Sequence, residues 1–550
     1  MAAKTDVALV PVGFETHPDR YHHIVLEVAP PIARIKLRID DEHPLRPGYT
    51  LKLNSYDLGV DIELADAVQR LRFEHPEVTA VVITSALEGI FSSGANIFML
   101  GSSTHGFKVN FCKFTNETRL YIEDATEHSG QTYVAALNGI ASGGGYELPL
   151  ACKEIYLIDD RRSAVALPEV PYLGVLPGTG GLTRVVDKRK VRRDLADVFC
   201  TLAEGVKGKR AVEWNLVDAV WPTSTFQQKV DERVKQIAGK GRPERKGVAL
   251  EPITPKTLDD GYEYRHVSVR FGPVQRTVRL ELRGPTGDQK LPADPTALGS
   301  DWYALRAFRE LDDALLRLRF NHPDIGLILF STKGDPETAL KMDAELVARK
   351  DHWFVHETLH HMKRVLKRLD QTARSCFAIV KPGSCFAGSL FELALAADRS
   401  YALADPDQPL AIALSPLNDG ALPMATGLSR LDARFYGEPS RAASARAHRG
   451  TWDAEQAYQA GLVTFAPDDI DWDDEVRIAI EERVSISPDA LTGMEANLRW
   501  PGPETMETRI FGRLSAWQNW IFTRPNSTGE RGALTLYGRP ERPEFDWRRT

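Results

Sequence analysis

Two glutamates set among glycine turns have the residue types and spacing to do chemistry. The run Asn138-Gly139-Ile140-Ala141-Ser142-Gly143-Gly144-Gly145-Tyr146-Glu147 follows the apolar, strand-like segment Thr132–Leu137 and precedes an apolar, helix-like one at 148–152. A glycine-rich turn from strand to helix leaves backbone N–H groups pointing out of the helix start, free to hold a negatively charged oxygen. Glu147 falls within a helical turn of that nest. A second acid, Glu169, lies in Leu167-Pro168-Glu169-Val170, ahead of the turn Leu176-Pro177-Gly178-Thr179-Gly180-Gly181. An anion nest with two nearby acids can stabilise an enolate while protons move or water is activated.

Holding such a turn requires a strand–turn–helix unit, and the chain carries two copies of one. Arg70-Leu71-Arg72-Phe73 ahead of His75-Pro76 returns as Arg317-Leu318-Arg319-Phe320 ahead of His322-Pro323, an offset of 247 residues. Each stretch reads as an amphipathic helix stopping before proline, followed by an apolar strand at 80–84 and 326–330. Residues 114–118 resemble 354–358, and 143–152 resemble 388–397, which sets Glu147 against Glu392. Tandem repetition of a β-rich α/β unit predicts domains over 1–238 and 259–470. A Gly-, Pro- and charge-rich linker would occupy 239–258, and a helical region 471–550.

The copies differ where chemistry would sit. Gly143-Gly144-Gly145 faces Gly388-Ser389-Leu390, Ser93-Gly94-Ala95-Asn96 faces Lys333-Gly334-Asp335-Pro336, and Glu169 faces the neighbourhood of Leu410. The first copy is therefore the candidate for catalysis and the second for scaffold.

Bulk composition narrows the class. With 76 acidic and 69 basic residues the net charge is −7, which does not suggest nucleic acid as a partner. No apolar stretch approaches a membrane span, and no signal peptide is evident at the start. Five cysteines without a C-x-x-C pair fit a reducing cytoplasm.

Rival signals are weaker. His356-Glu357-Thr358-Leu359-His360 matches the zinc-protease pattern. The matching helix of the first copy reads Asn116-Glu117-Thr118-Arg119-Leu120, so the helix exists without metal ligands, and no metal is expected. Thr179-Gly180-Gly181-Leu182-Thr183-Arg184 lacks the lysine and spacing of a P-loop and reads as a helix-starting turn. Cys112, amid aromatics, reads either as a small core residue or as part of a pocket lining.

These blocks, in order across residues 25–220, resemble the enoyl-CoA hydratase/isomerase family, the crotonase superfamily. Residues 91–97 are similar to its first oxyanion loop, 138–147 to its second, and 167–181 to its second-acid block. The resemblance implies tandem crotonase-like domains of ββα superhelical type and an acyl-CoA thioester as substrate. It implies that the Ala95 and Gly144 N–H groups hold the thioester oxygen and that the catalytic residues are Glu147 and Glu169, as the acid/base pair, and Cys112, which lines the site. Asn96 departs from the family's usual aspartate; the adjoining donor is a backbone group, so the hole should survive. No cofactor is implied, since CoA belongs to the substrate. A homo-oligomer smaller than the hexamers of single-domain relatives, a dimer, is expected. A non-catalytic acyl-CoA-binding protein is the alternative of another class, and a plain hydratase with an inactive second domain the alternative within enzymes.

Overall fold

The computed structural model describes residues 11–550, which form two compact units, one over Phe14–Pro252 and one over Ile253–Thr550 together with the first described residues. Val12 belongs with the later unit, where it exchanges two backbone hydrogen bonds with the Asn321 side chain.

The unit over Phe14–Pro252 is built on a six-stranded sheet. In spatial order its strands are Ile24–Ala29, Ile32–Leu37, Ala80–Ser85, Thr132–Leu137, Glu154–Asp159 and Ala219–Pro222. The first pair is antiparallel and every later neighbour is parallel. Parallel neighbours need crossovers. The helix Leu58–Phe73 supplies the first, capped by Asp57, whose carboxylate accepts from the Gly59 and Val60 N–H groups. It ends at Phe73, three residues before Pro76, as the sequence predicts. The helix His105–Asp124 supplies the next.

Strand Thr132–Leu137 is buried on both faces. Tyr133, Ala135 and Leu137 enter the main core with Leu64, Leu71 and Ile83. Val134 and Ala136 pack on the other face against Phe226, Val230 and Val234 of the helix Phe226–Ala238. An unbroken apolar run in place of strict alternation is the mark of such a strand.

A smaller three-stranded sheet, Val165–Ala166, Gly139–Ser142 and Gly89–Ser92, lies at the carboxyl ends of the large sheet's strands. It delivers both glycine loops to one place.

The other unit repeats the plan. Val267–Phe271 and Thr277–Arg283 are antiparallel, and Leu327–Lys333, Ser375–Val380 and Arg399–Ala402 follow in parallel order. Two short strands, Lys256–Leu258 and Gly261–Glu263, extend its edge. Among the described residues its small sheet is reduced to a single bridge between Ala387 and Ala413. Residues 471–550 are mostly helical and group with this unit.

Candidate active site

Gly143 stands at the junction of the strand Gly139–Ser142 and the helix Gly144–Ala151, with φ +55° and ψ −132°, a conformation that side chains resist. Gly144 is the first helical residue, so its N–H has no acceptor within the helix. Facing it is the two-residue strand Gly94–Ala95, paired in parallel with Ser55–Tyr56. A methyl group on Gly144 would collide with the Tyr56 hydroxyl and lie 3.3 Å from the Ala95 nitrogen. Ala95 and Gly144 are thus brought against each other by a close approach that needs glycine. The helix start is the one expected, but it begins inside the glycine run, not after it, so Glu147 lies in the first helical turn.

Glu147 is buried and held on both oxygens. Its Oε1 accepts the N–H of Thr179 at 3.0 Å and that of Gly181 at 2.7 Å, and its Oε2 accepts the Thr179 hydroxyl. Burial raises its pKa, while these donors and the Arg119 charge favour the ionised form. The turn at 179–184 does start the helix Gly181–Asp187, and its Thr179 and Gly181 N–H groups are spent on the Glu147 carboxylate.

Glu169 opens the short helix Glu169–Leu173. Its Oε1 lies 2.8 Å from where a Cβ on Gly143 would stand, so the second acid abuts the nest directly. Its Oε2 is buried without a hydrogen-bond partner. Burial, and then the charge of Glu147, push its pKa up to about 7. The two acids therefore sit in unlike environments, one saturated with donors and one starved of them.

Cys112 is half-buried on the helix His105–Asp124, and burial, Glu147 and Asp61 push its thiol up to about 11. It is a neutral thiol at physiological pH and a poor nucleophile. Two turns further along that helix Arg119 is buried and paired with Asp61, which also accepts the Thr115 hydroxyl at 2.5 Å. Sequence reading passed over Arg119 and Tyr56. Neither carries a periodic signal, and only the fold brings them to the nest.

Asn96 caps the helix Ile97–Ser102, accepting from the Met99 N–H at 2.9 Å. Its amide donates to the Thr50 carbonyl at 2.7 Å and to Ser55 Oγ at 3.1 Å. An aspartate would cap equally well but could not donate, so the departure is accommodated locally. In the helix Trp353–Asp370 the rings of His356 and His360 lie 4.3 Å apart, and Lys363 Nζ engages His360 Nδ1 at 2.7 Å. That nitrogen is committed to a lysine.

Residues 50–251 match the family described as enoyl-CoA hydratase/isomerase. The chain is 55% identical over 542 residues to the benzoyl-CoA-dihydrodiol lyase of Aromatoleum evansii, covering 98% of both chains. Among solved structures, an enoyl-CoA hydratase of Geobacillus kaustophilus HTA426 is 32% identical over 41% of this chain and 76% of its own, with a TM-score of 0.35. An enoyl-CoA hydratase of Bacillus anthracis is 25% identical over 39% and 76%, with a TM-score of 0.34. No helix among the described residues is long and apolar enough to cross a membrane. The chain belongs to the enoyl-CoA hydratase/isomerase family.

Proposed function

We propose that this chain opens the ring of 2,3-epoxybenzoyl-CoA, giving 3,4-didehydroadipyl-CoA semialdehyde and formate. The relative of the same length and high identity is a benzoyl-CoA-dihydrodiol lyase, which favours this substrate over a simple enoyl-CoA. The single observation that carries the chemistry is the contact between nest and acids: Glu169 against Gly143, one residue from the Gly144 N–H that faces Ala95.

The seven acyl carbons divide into six and one, and the hydrogens and oxygens balance with two waters and no change in net oxidation state. No redox partner is therefore required, and the reaction runs without a cofactor. Opening the oxirane needs a proton on its oxygen and a base for water. Glu169, with few donors and a pKa near neutrality, is the acid; Glu147, whose three hydrogen bonds favour the anion, is the base. Breaking the bond between ring carbons 1 and 2 leaves charge beside the thioester. That charge spreads into the carbonyl oxygen, which the Ala95 and Gly144 N–H groups hold. The neutral Cys112 thiol lines the acyl pocket and forms no covalent intermediate.

The working form is a cytoplasmic homodimer, since fusion of two units into one chain replaces part of a larger ring. The decisive experiment incubates the protein with 2,3-epoxybenzoyl-CoA and with crotonyl-CoA in parallel. Formate from the first and negligible hydration of the second is the expected result. Crotonyl-CoA hydration without formate release makes the chain a hydratase, and binding of both without turnover makes it a carrier.

A further inference from the structure

Tyr56 stands in the same wall as the nest and has no place in the reaction described so far. It is 3% exposed, and its hydroxyl oxygen is buried without a hydrogen bond of regular geometry. A buried hydroxyl left in that state costs stability, so such a group persists where something else uses it. Its position is specific: it touches Gly144 from the side on which any other residue would carry its Cβ, and the Ala95 nitrogen borders the same point. The backbone carbonyl of Tyr56 accepts the Asn96 N–H at 2.9 Å, which ties the ring to the first oxyanion loop. Phe111, at 6.4 Å between centroids, and the Arg119 guanidinium, 5.3 Å from the ring centre, hold it laterally.

The second copy supplies an internal control. Tyr56 stands 17 residues before Phe73, and Tyr303 stands 17 residues before its counterpart Phe320. The Tyr303 hydroxyl donates to the Arg283 carbonyl at 2.7 Å. The same tyrosine therefore donates to a protein carbonyl in the copy that lacks the acid pair, whereas in the copy that has it the hydroxyl lies beside the Arg119 guanidinium and donates to no protein acceptor.

We propose that the Tyr56 hydroxyl is a third donor to the thioester oxygen, joining the Ala95 and Gly144 N–H groups, and hence a catalytic residue. This rests on the thioester reading of the nest given above. A phenol donor strengthens its hydrogen bond as negative charge collects on the acceptor, so it acts more on the enolate than on the ground-state carbonyl.

The test uses the full-length protein with Tyr56→Phe and, as control, Tyr303→Phe. Benzoyl-CoA is the unreactive probe, and its thioester C=O stretch is followed by difference infrared spectroscopy. Binding to wild type should move the stretch to lower frequency. Tyr56→Phe should lose a measurable part of that shift and lower kcat by on the order of 10²-fold. The Kd for benzoyl-CoA should stay within about threefold, because a ground-state carbonyl gains little from the third donor. Tyr303→Phe should match wild type in shift and kcat. An unchanged stretch with kcat near wild type in Tyr56→Phe overturns the tyrosine's role and leaves the nest intact. A wild-type complex with no carbonyl shift overturns the thioester reading itself. If Tyr56→Phe melts too low to assay, 3-fluorotyrosine at position 56 serves: a more acidic phenol should deepen the shift, and no change refutes the proposal.

Discussion

The two units contain the same turn put to opposite uses. In the unit over Phe14–Pro252 the Gly144 N–H opens toward Ala95, and burial raises the carboxyl of the neighbouring Glu169 to about 7. In the other unit the Gly144 counterpart is Ser389, whose N–H donates to Asp343 Oδ2 at 2.6 Å while its hydroxyl donates to Oδ1 at 2.6 Å. Ser415 adds a further bond to Asp343, also at 2.6 Å. Asp343 is fully buried, and its pKa is raised to about 6 because burial outweighs those bonds. The second nest is thus already occupied by an anion from its own chain. Glu392, the Glu147 counterpart, accepts from Asn418 at 2.7 Å and from Arg430 at 3.1 Å, and Arg430 also binds Asp370 at 2.8 Å. A nest is a site when its anion comes from outside, and a structural joint when the protein provides one.

The comparison breaks first on the paired glutamates. Glu147→Gln should lower kcat by on the order of 10²- to 10⁴-fold with little change in CoA-ester affinity. Glu392→Gln should leave turnover per folded molecule unchanged and cost about 2 kcal/mol of stability through a weakened buried network. Steady-state kinetics beside thermal melts would read both, and the assignment fails if the two substitutions behave alike. Gly144→Ala comes next. Its methyl group meets Tyr56 and narrows the approach to the Ala95 N–H, so turnover should fall by about 10²-fold or more. Near-normal kcat in that variant would mean the carbonyl does not bind there.

Glu169→Gln separates rate from stability. Burial raises the folded carboxyl from its ordinary 4.5 to about 7, so the unfolded chain ionises first. Stability conferred by the protonated acid is whole below pH 4.5 and is lost as pH climbs toward 7. The neutral amide escapes that loss, so Glu169→Gln should exceed wild type by about 2–3 kcal/mol above pH 7 and match it below 4.5. Melting curves across pH check this, and a variant less stable than wild type at pH 8 contradicts it. The smallest effect concerns the plug. Asp343→Ala should lose about 2 kcal/mol, since the Ser389 and Ser415 donors lose their acceptor. Added acetate should restore part of the melting temperature in that variant and not in wild type. No acetate dependence would show that the second nest does not hold small carboxylates.

Much of this was legible from the chain alone. Prolines after Phe73 and Phe320, the apolar run at Thr132–Leu137 and the glycines around Gly144 are local signals, and each delivered its element. The repeated Arg-Leu-Arg-Phe segment set the copies against each other and pointed to Glu392. The glycine helix start was legible as a place but not to the residue. A glycine adopts the φ of a loop or of a helix end equally well, so its sequence leaves the first helical residue open. Asp343 gave no hint of its role, because it reaches Ser389 from 46 positions away. Thr179 and Gly181 read as a turn and nothing more, because a backbone N–H announces no acceptor in sequence.

What the sequence determined by itself was inventory and order: two α/β units, one intact pair of acids, one intact glycine nest. Only the tertiary structure decided which of these donors the chain's own carboxylates engage, as Asp343 engages Ser389. That difference depends on distances of a few tenths of an ångström between segments far apart in the chain. Burial then sets whether a carboxyl such as Glu169 is near neutrality or fully ionised, and burial is a property of the folded surroundings, not of the residue.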